Sequence, residues 1–191
     1  YPEMMDGRVK TLHPRVHGGL LALRDNEKHT TQMKENDILP IDMVVVNLYP
    51  FKKVSKDPSK TFEEVIENID IGGPSMLRSG SKNFQSVVIV SSPDQYEHIQ
   101  KEMDEAGDVS FETRKKLARD VFRQTASYDA AINTYLENSI DEEEEAFPRE
   151  IVFSGDKIQN LRYGENPHQK AAFYTDGQQW KKEASLPQAI Q

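Results

Sequence analysis

The amino-acid sequence predicts an α/β layered fold built around a parallel sheet, and three observations carry that expectation. Met43-Val44-Val45-Val46-Asn47-Leu48 is a short apolar run without polar alternation, as expected of a strand buried on both faces. Val87-Val88-Ile89-Val90 is a second such run. Helical patterning lies between them, so the order is strand, helices, strand.

The elements follow in turn. Tyr49-Pro50 ends the first strand, because proline cannot donate to a sheet ladder. Thr61 and Glu64 form a T-x-x-E capping box ahead of a short helix closing near Ile69. Asp70-Ile71-Gly72-Gly73 breaks that helix, and another is expected from about Ser75 to Lys82. Ser92-Pro93-Asp94-Gln95 is a helix start, with Ser92 as cap and Gln95 reaching back, and Gly107 is the stop. Phe111, Ala118, Val121, Phe122, Thr125, Tyr128, Ile132, Tyr135 and Leu136 recur at steps of three and four. They predict one long helix with a continuous apolar stripe, about 40 Å from Phe111 to Asn138. The acidic run Asp141 to Glu145, followed by Phe147-Pro148, reads as a solvated linker. Beyond it, Ile151-Val152-Phe153 and Ala171-Ala172-Phe173-Tyr174 are expected as strands flanking the polar segment Leu161 to Gln169.

Composition narrows the function classes. The 191 residues carry a net charge of −8 and no block of Lys and Arg, which argues against a nucleic-acid surface. With no cysteine there is no disulfide framework, thiolate nucleophile or cysteine zinc site, in keeping with a reducing cytoplasm. No apolar stretch approaches the roughly 20 residues that span a bilayer, so no membrane partner is expected. The chain opens at Tyr1 without a Met or the regions of a signal peptide, and stops at Gln191 without a terminator signal. Both ends are expected to be cut points.

Five segments hold candidate chemistry, each with an ordinary alternative beside it. Arg8 and Lys10, with Thr11 next to them, suit an anionic ligand, or form a surface basic pair. His13 and His17 are separated by Pro14 and are expected to pack or hydrogen-bond, with no metal between them. Asn47 and Tyr49 sit where the first strand ends, the edge at which ligands bind in open parallel sheets. A turn-stabilising Asn and a core Tyr fit the same positions. Asp70-Ile71-Gly72-Gly73 leads into a helix N-terminus that can approach a ligand, or is a plain turn. Asp70 and Lys82 are either a proton-transfer pair or a surface salt bridge. Arg162 and Tyr163 suit an anionic aromatic ligand by fork and stacking, unless the segment around them and His168 is a solvated loop.

These segments, with Tyr128-Asp129-Ala130-Ala131-Ile132, come in the order and spacing of one family. The chain resembles the bifunctional enzymes that join an IMP cyclohydrolase domain to an AICAR transformylase domain. The resemblance implies a methylglyoxal-synthase-like parallel-sheet domain, incomplete, over residues 1–147. The start of a second α/β transformylase domain would occupy 148–191. It implies dehydrative closure of a formamido carboxamide ribotide without metal or cofactor. Lys10, Tyr49, Asp70 and Lys82 match the family's catalytic positions. Arg8, Thr11, Asn47, Ile71, Gly72 and Gly73 match ligand-binding ones, and Arg162, Tyr163 and His168 fall in a substrate-contacting motif of the second domain. A purine ribotide, a homodimer and a cytoplasmic setting are further implications. So is 10-formyltetrahydrofolate as co-substrate of the second domain, its pocket lying outside this chain.

Two departures stand out. Ser79-Gly80-Ser81 replaces an alanine-rich stretch of the family, lowering helix propensity before Lys82. The segments that grip the 5′-phosphate in the family have no counterpart here. Two other readings remain open at this level: a nucleotide-sensing module on the same fold, and a catalytically inert scaffold or dimerisation piece.

Overall fold

The structure, a computed structural model, describes residues 4–140, 152 and 155–175. The chain divides into two compact units, Tyr1–Tyr135 and Leu136–Gln191. The expected junction at 147/148 and the acidic run before it lie outside the described residues.

In the first unit α1 spans Pro14–Leu21 and α2 Glu27–Glu35. Strand β1 is Met43–Val45, followed by three helices, α3 Phe51–Val54, α4 Phe62–Ile66 and α5 Gly72–Lys82. Strand β2, Val88–Val90, pairs in parallel with β1 in the register Met43↔Val88, Val44↔Ile89, Val45↔Val90. A 3-10 turn over Pro93–Gln95 leads into α6, Tyr96–Ala106, and the unit closes with α7, Phe111–Glu137. This is the strand–helices–strand order that the sequence predicts.

Local signals explain most of the boundaries. The Thr61 side chain accepts from the Glu64 N–H, and the Glu64 carboxylate accepts from the Thr61 N–H, so the capping box is complete. Gln95 Oε1 likewise accepts from the Ser91 and Ser92 amides. Gly107 stops α6 in the left-handed region at φ 75°, where a side chain would be strained.

Three core clusters meet along α7. Leu20, Val44, Leu77, Ile89 and Val121 form the one between the sheet, α1 and α5. On the other face Val88, Val90, Ile99 and Leu117 pack together. Phe51, Val65 and Tyr128 form the third, beside the carboxyl end of β1.

The structure corrects several expectations. Helix α5 begins at Gly72, not Ser75. The Asp70 carboxylate accepts from the Gly73 N–H at 2.8 Å and so stands in for a cap. Pro74 is tolerated in the first turn because its missing N–H would have had no helical partner. Val45 is 52% exposed, so β1 is buried on its Val44 face but covered on the other only near Met43. Phe111 and Phe122 leave the buried stripe of α7 at 49% and 42% exposure. Phe111 tilts against Phe84, and Phe122 lies beneath the Arg78 guanidinium, 5.4 Å away.

The second unit holds an antiparallel hairpin, β3 Asp156–Leu161 with β4 Ala171–Thr175. Val152 lies in no strand, and Ile151 and Phe153 are outside the described residues. The strand before the polar segment is therefore β3. All six of its residues are exposed, so no apolar rhythm announces it.

Leu77 is fully buried between α1 and the sheet. Leu77→Ala should lower the unfolding free energy by about 2–5 kcal/mol, measured by urea denaturation of the protein containing this chain. A loss below about 1 kcal/mol would contradict the assigned core.

Candidate active site at the carboxyl edge of the sheet

Both strands point their carboxyl ends at the same edge, and α5 runs back from that edge towards the start of β2. Asn47 and Tyr49 follow β1, and Asn47 Nδ2 donates to the Tyr96 hydroxyl at 3.0 Å, joining the loop after β1 to the start of α6. Tyr49 is 56% exposed. Its carbonyl accepts from the Phe51 N–H at 2.8 Å, which sets the turn into α3.

The N-terminus of α5 arrives beside this loop. Asp70 is half-buried and Gly73 is buried. A Cβ on Gly72 would run into Thr11 Oγ1, and one on Gly73 would run into the Asp70 carboxylate. Both close approaches therefore require glycine. The segment Gly7 to His13 lies across this turn. It is held by the Thr11 contact and by Arg8, whose guanidinium meets Glu67 at 2.6 Å with both side chains exposed. Lys10 stands between these two anchors, exposed, on the same segment. The structure thus brings Arg8, Lys10, Thr11, Asp70, Ile71, Gly72 and Gly73 into one neighbourhood.

Tyr128 of α7 ties this neighbourhood to the strand end. Its hydroxyl accepts from the Asp70 N–H at 2.8 Å and donates to the Asn68 carbonyl at 3.1 Å. Its ring meets Phe51 edge-on at 6.0 Å. Burial pushes the Tyr128 phenol above the ordinary tyrosine value, and the charges of Asp70, Asp129 and Tyr49 add to the push. Accepting the Asp70 N–H pulls the other way.

Lys82 is the exception. Asp70 precedes the first turn of α5 and Lys82 is its last residue, so the eleven-residue helix, about 16 Å long, separates them. Lys82 stands at the amino edge of the sheet, five residues before Val87, and is exposed. Within one copy of the chain the two are not direct proton-transfer partners, nor a salt bridge. Ser79-Gly80-Ser81 does not interrupt the helix before it. Gly80 packs on β2, where an added Cβ would lie 3.0 Å from the Ile89 side chain. Ser79 Oγ is 2.9 Å from His17 Nδ1, and His13 caps α1 by accepting from the Arg15 N–H. Both histidines therefore serve hydrogen bonding, as expected. Arg162, Tyr163 and His168 are exposed in the β3–β4 connection of the second unit. Gly164 N–H donates to the Gln169 carbonyl at 2.9 Å there. Tyr96 and Tyr128 are the site residues that sequence reasoning passes over. Tyr96 carries no sequence signal, and Tyr128 reads as a member of the apolar stripe and of a family segment, with no site role attached.

Residues 1–75 match the MGS-like domain, which defines the class of the first unit's fold. Residues 80–191 match the AICARFT/IMPCHase bienzyme family. The chain belongs to that bienzyme family. It is similar to the bifunctional purine biosynthesis protein PurH of Bacillus cereus strain B4264, 56% identical over 174 residues. The PurH of Halalkalibacterium halodurans is 54% identical over the same length. Each alignment covers 91% of this chain and 34% of the relative, so the chain spans about a third of their length. A solved structure, the crystal structure of ForH, is similar at 37% identity and a TM-score of 0.63, covering 72% of this chain and 71% of that one.

The raised Tyr128 value has a consequence for stability. The unfolded chain ionises this phenol near pH 10, while the folded chain holds the proton longer. That stabilisation is intact below about pH 10 and is lost as pH rises through the folded value. Tyr128→Phe should flatten the fall in thermal midpoint above about pH 10. An alkaline limb unchanged by the substitution would contradict the assignment.

Proposed function

We propose that this chain carries the IMP cyclohydrolase site of a bifunctional purine-biosynthesis enzyme. In that reaction the carboxamide nitrogen attacks the formyl carbon, a C–N bond forms and the C–O bond breaks. One proton from each nitrogen leaves with the formyl oxygen as water.

The observation that carries the reading is the half-buried Asp70 carboxylate at the N-terminus of α5, framed by glycines and by the Arg8–Thr11 segment. With Oδ1 accepting from Gly73, Oδ2 is left to orient or deprotonate the carboxamide nitrogen. Lys10 and Tyr49 would stabilise charge developing on the formyl oxygen. Arg8, whose bridge to Glu67 is solvent-exposed and so weak, is readily recruited to an anion. Thr11, Asn47, Ile71, Gly72 and Gly73 complete the ribotide pocket. Given its place at the other edge, Lys82 enters such a site only from a second copy.

In the whole protein, formyl transfer from 10-formyltetrahydrofolate to the carboxamide ribotide would supply the substrate of ring closure. Arg162, Tyr163 and His168 are proposed to touch the ribotide in that step. A homodimer in the cytoplasm is the setting expected from the family.

Asp70→Asn in the protein containing this chain should lower kcat for ring closure by about 100-fold or more, followed by ultraviolet absorbance as the purine forms. Affinity for inosine monophosphate should stay within a few-fold. Near-normal turnover would remove Asp70 from the mechanism.

A further inference from the structure

We propose that Tyr128 is a positioning residue for ring closure, setting the Asp70 carboxylate through the backbone on which it stands. The inference rests on the role of Asp70 given above. Helix α4 ends at Ile66 and α5 starts at Gly72, so the Asp70 N–H and the Asn68 carbonyl fall in the gap between two helices. Neither has a helical partner. The Tyr128 hydroxyl supplies both missing bonds from 58 and 60 residues away in the chain.

Tyr128 is 6% exposed, and its ring is seated by packing on Phe51. A phenylalanine would fill the same space, so the core does not need the hydroxyl. A buried hydroxyl costs free energy unless it is paired, and here it pairs only with the turn that carries Asp70. The carboxylate is then fixed at two points, through its own backbone by Tyr128 and through Oδ1 by the Gly73 N–H. Because Phe51 follows the Tyr49 loop directly, the same ring places Tyr49 relative to Asp70. A small displacement of a proton-transferring group lowers rate far more than it lowers binding.

The test is a double-mutant cycle of Tyr128→Phe and Asp70→Asn in the protein containing this chain. Tyr128→Phe should lower kcat about 10- to 100-fold, with KM for the formamido ribotide within about threefold. The double mutant should be no slower than Asp70→Asn alone, because Tyr128 acts only through Asp70. Hydrogen exchange at the Asp70 N–H should quicken in Tyr128→Phe, while exchange at Ile89 in β2 stays unchanged. Losses that add in the double mutant would overturn the proposal, as would an unaltered Asp70 exchange rate. Absence of ring closure by the unaltered protein would overturn the cyclohydrolase reading, whereas an unimpaired Asp70→Asn would remove Asp70 from the mechanism and overturn this proposal with it. Impaired Asp70→Asn with additive losses would overturn this proposal alone.

Discussion

The Asp70 N–H and the Asn68 carbonyl, between α4 and α5, have no helical partners, and the carboxyl edge depends on how they are paired. Tyr128 pairs both from α7 with one accepted and one donated hydrogen bond. The Asp70 carboxylate closes the far side of the turn by capping α5 at Gly73. Buried peptide groups left unpaired would cost about 1–3 kcal/mol each, so this turn is stable only in the conformation that these partners hold. Thr11 then fits against Gly72 because no Cβ stands in the way. The seating of Thr11 and of the Asp70 carboxylate follows from that closed turn.

Helix α7 links the turn to the rest of the core. Val121 joins the cluster between α5 and the sheet, Leu117 the cluster on the opposite face, and Tyr128 the cluster at the strand end. One continuous helix of 27 residues therefore packs against both faces of the sheet and holds the Asp70 turn. The ion pair of Arg8 with Glu67 is of another kind. Both side chains are well exposed, and such pairs contribute about 0–1 kcal/mol, so it can yield to a ligand at little cost.

Much of this was legible in the sequence wherever a single residue type has a single local reason. The Thr61–Glu64 capping box, the Gly107 stop, the α7 stripe and the Val87–Val90 strand are of that kind. The start of α5 was not legible, because two glycines look like a break until Asp70 is seen to cap them across three residues. Strand β3 was hidden because both of its faces are wet. Within the candidate site, clustered positions such as Arg8, Thr11, Asp70, Gly72 and Gly73 could be named from motifs. The separation of Lys82 from Asp70 follows only from the full length of α5, and the role of Tyr128 only from a hydrogen bond across 58 residues.

The central claim is that a purine ribotide lies at the carboxyl edge, over the turn that Tyr128 holds. A crystal structure of the protein containing this chain with bound inosine monophosphate tests it most directly. The account predicts the hypoxanthine ring within hydrogen-bonding distance of the Asp70 carboxylate and the Tyr49 hydroxyl, with Thr11 and the first turn of α5 against the nucleotide. A nucleotide seated at the amino edge beside Lys82, with Asp70 and Tyr49 facing solvent, would contradict it.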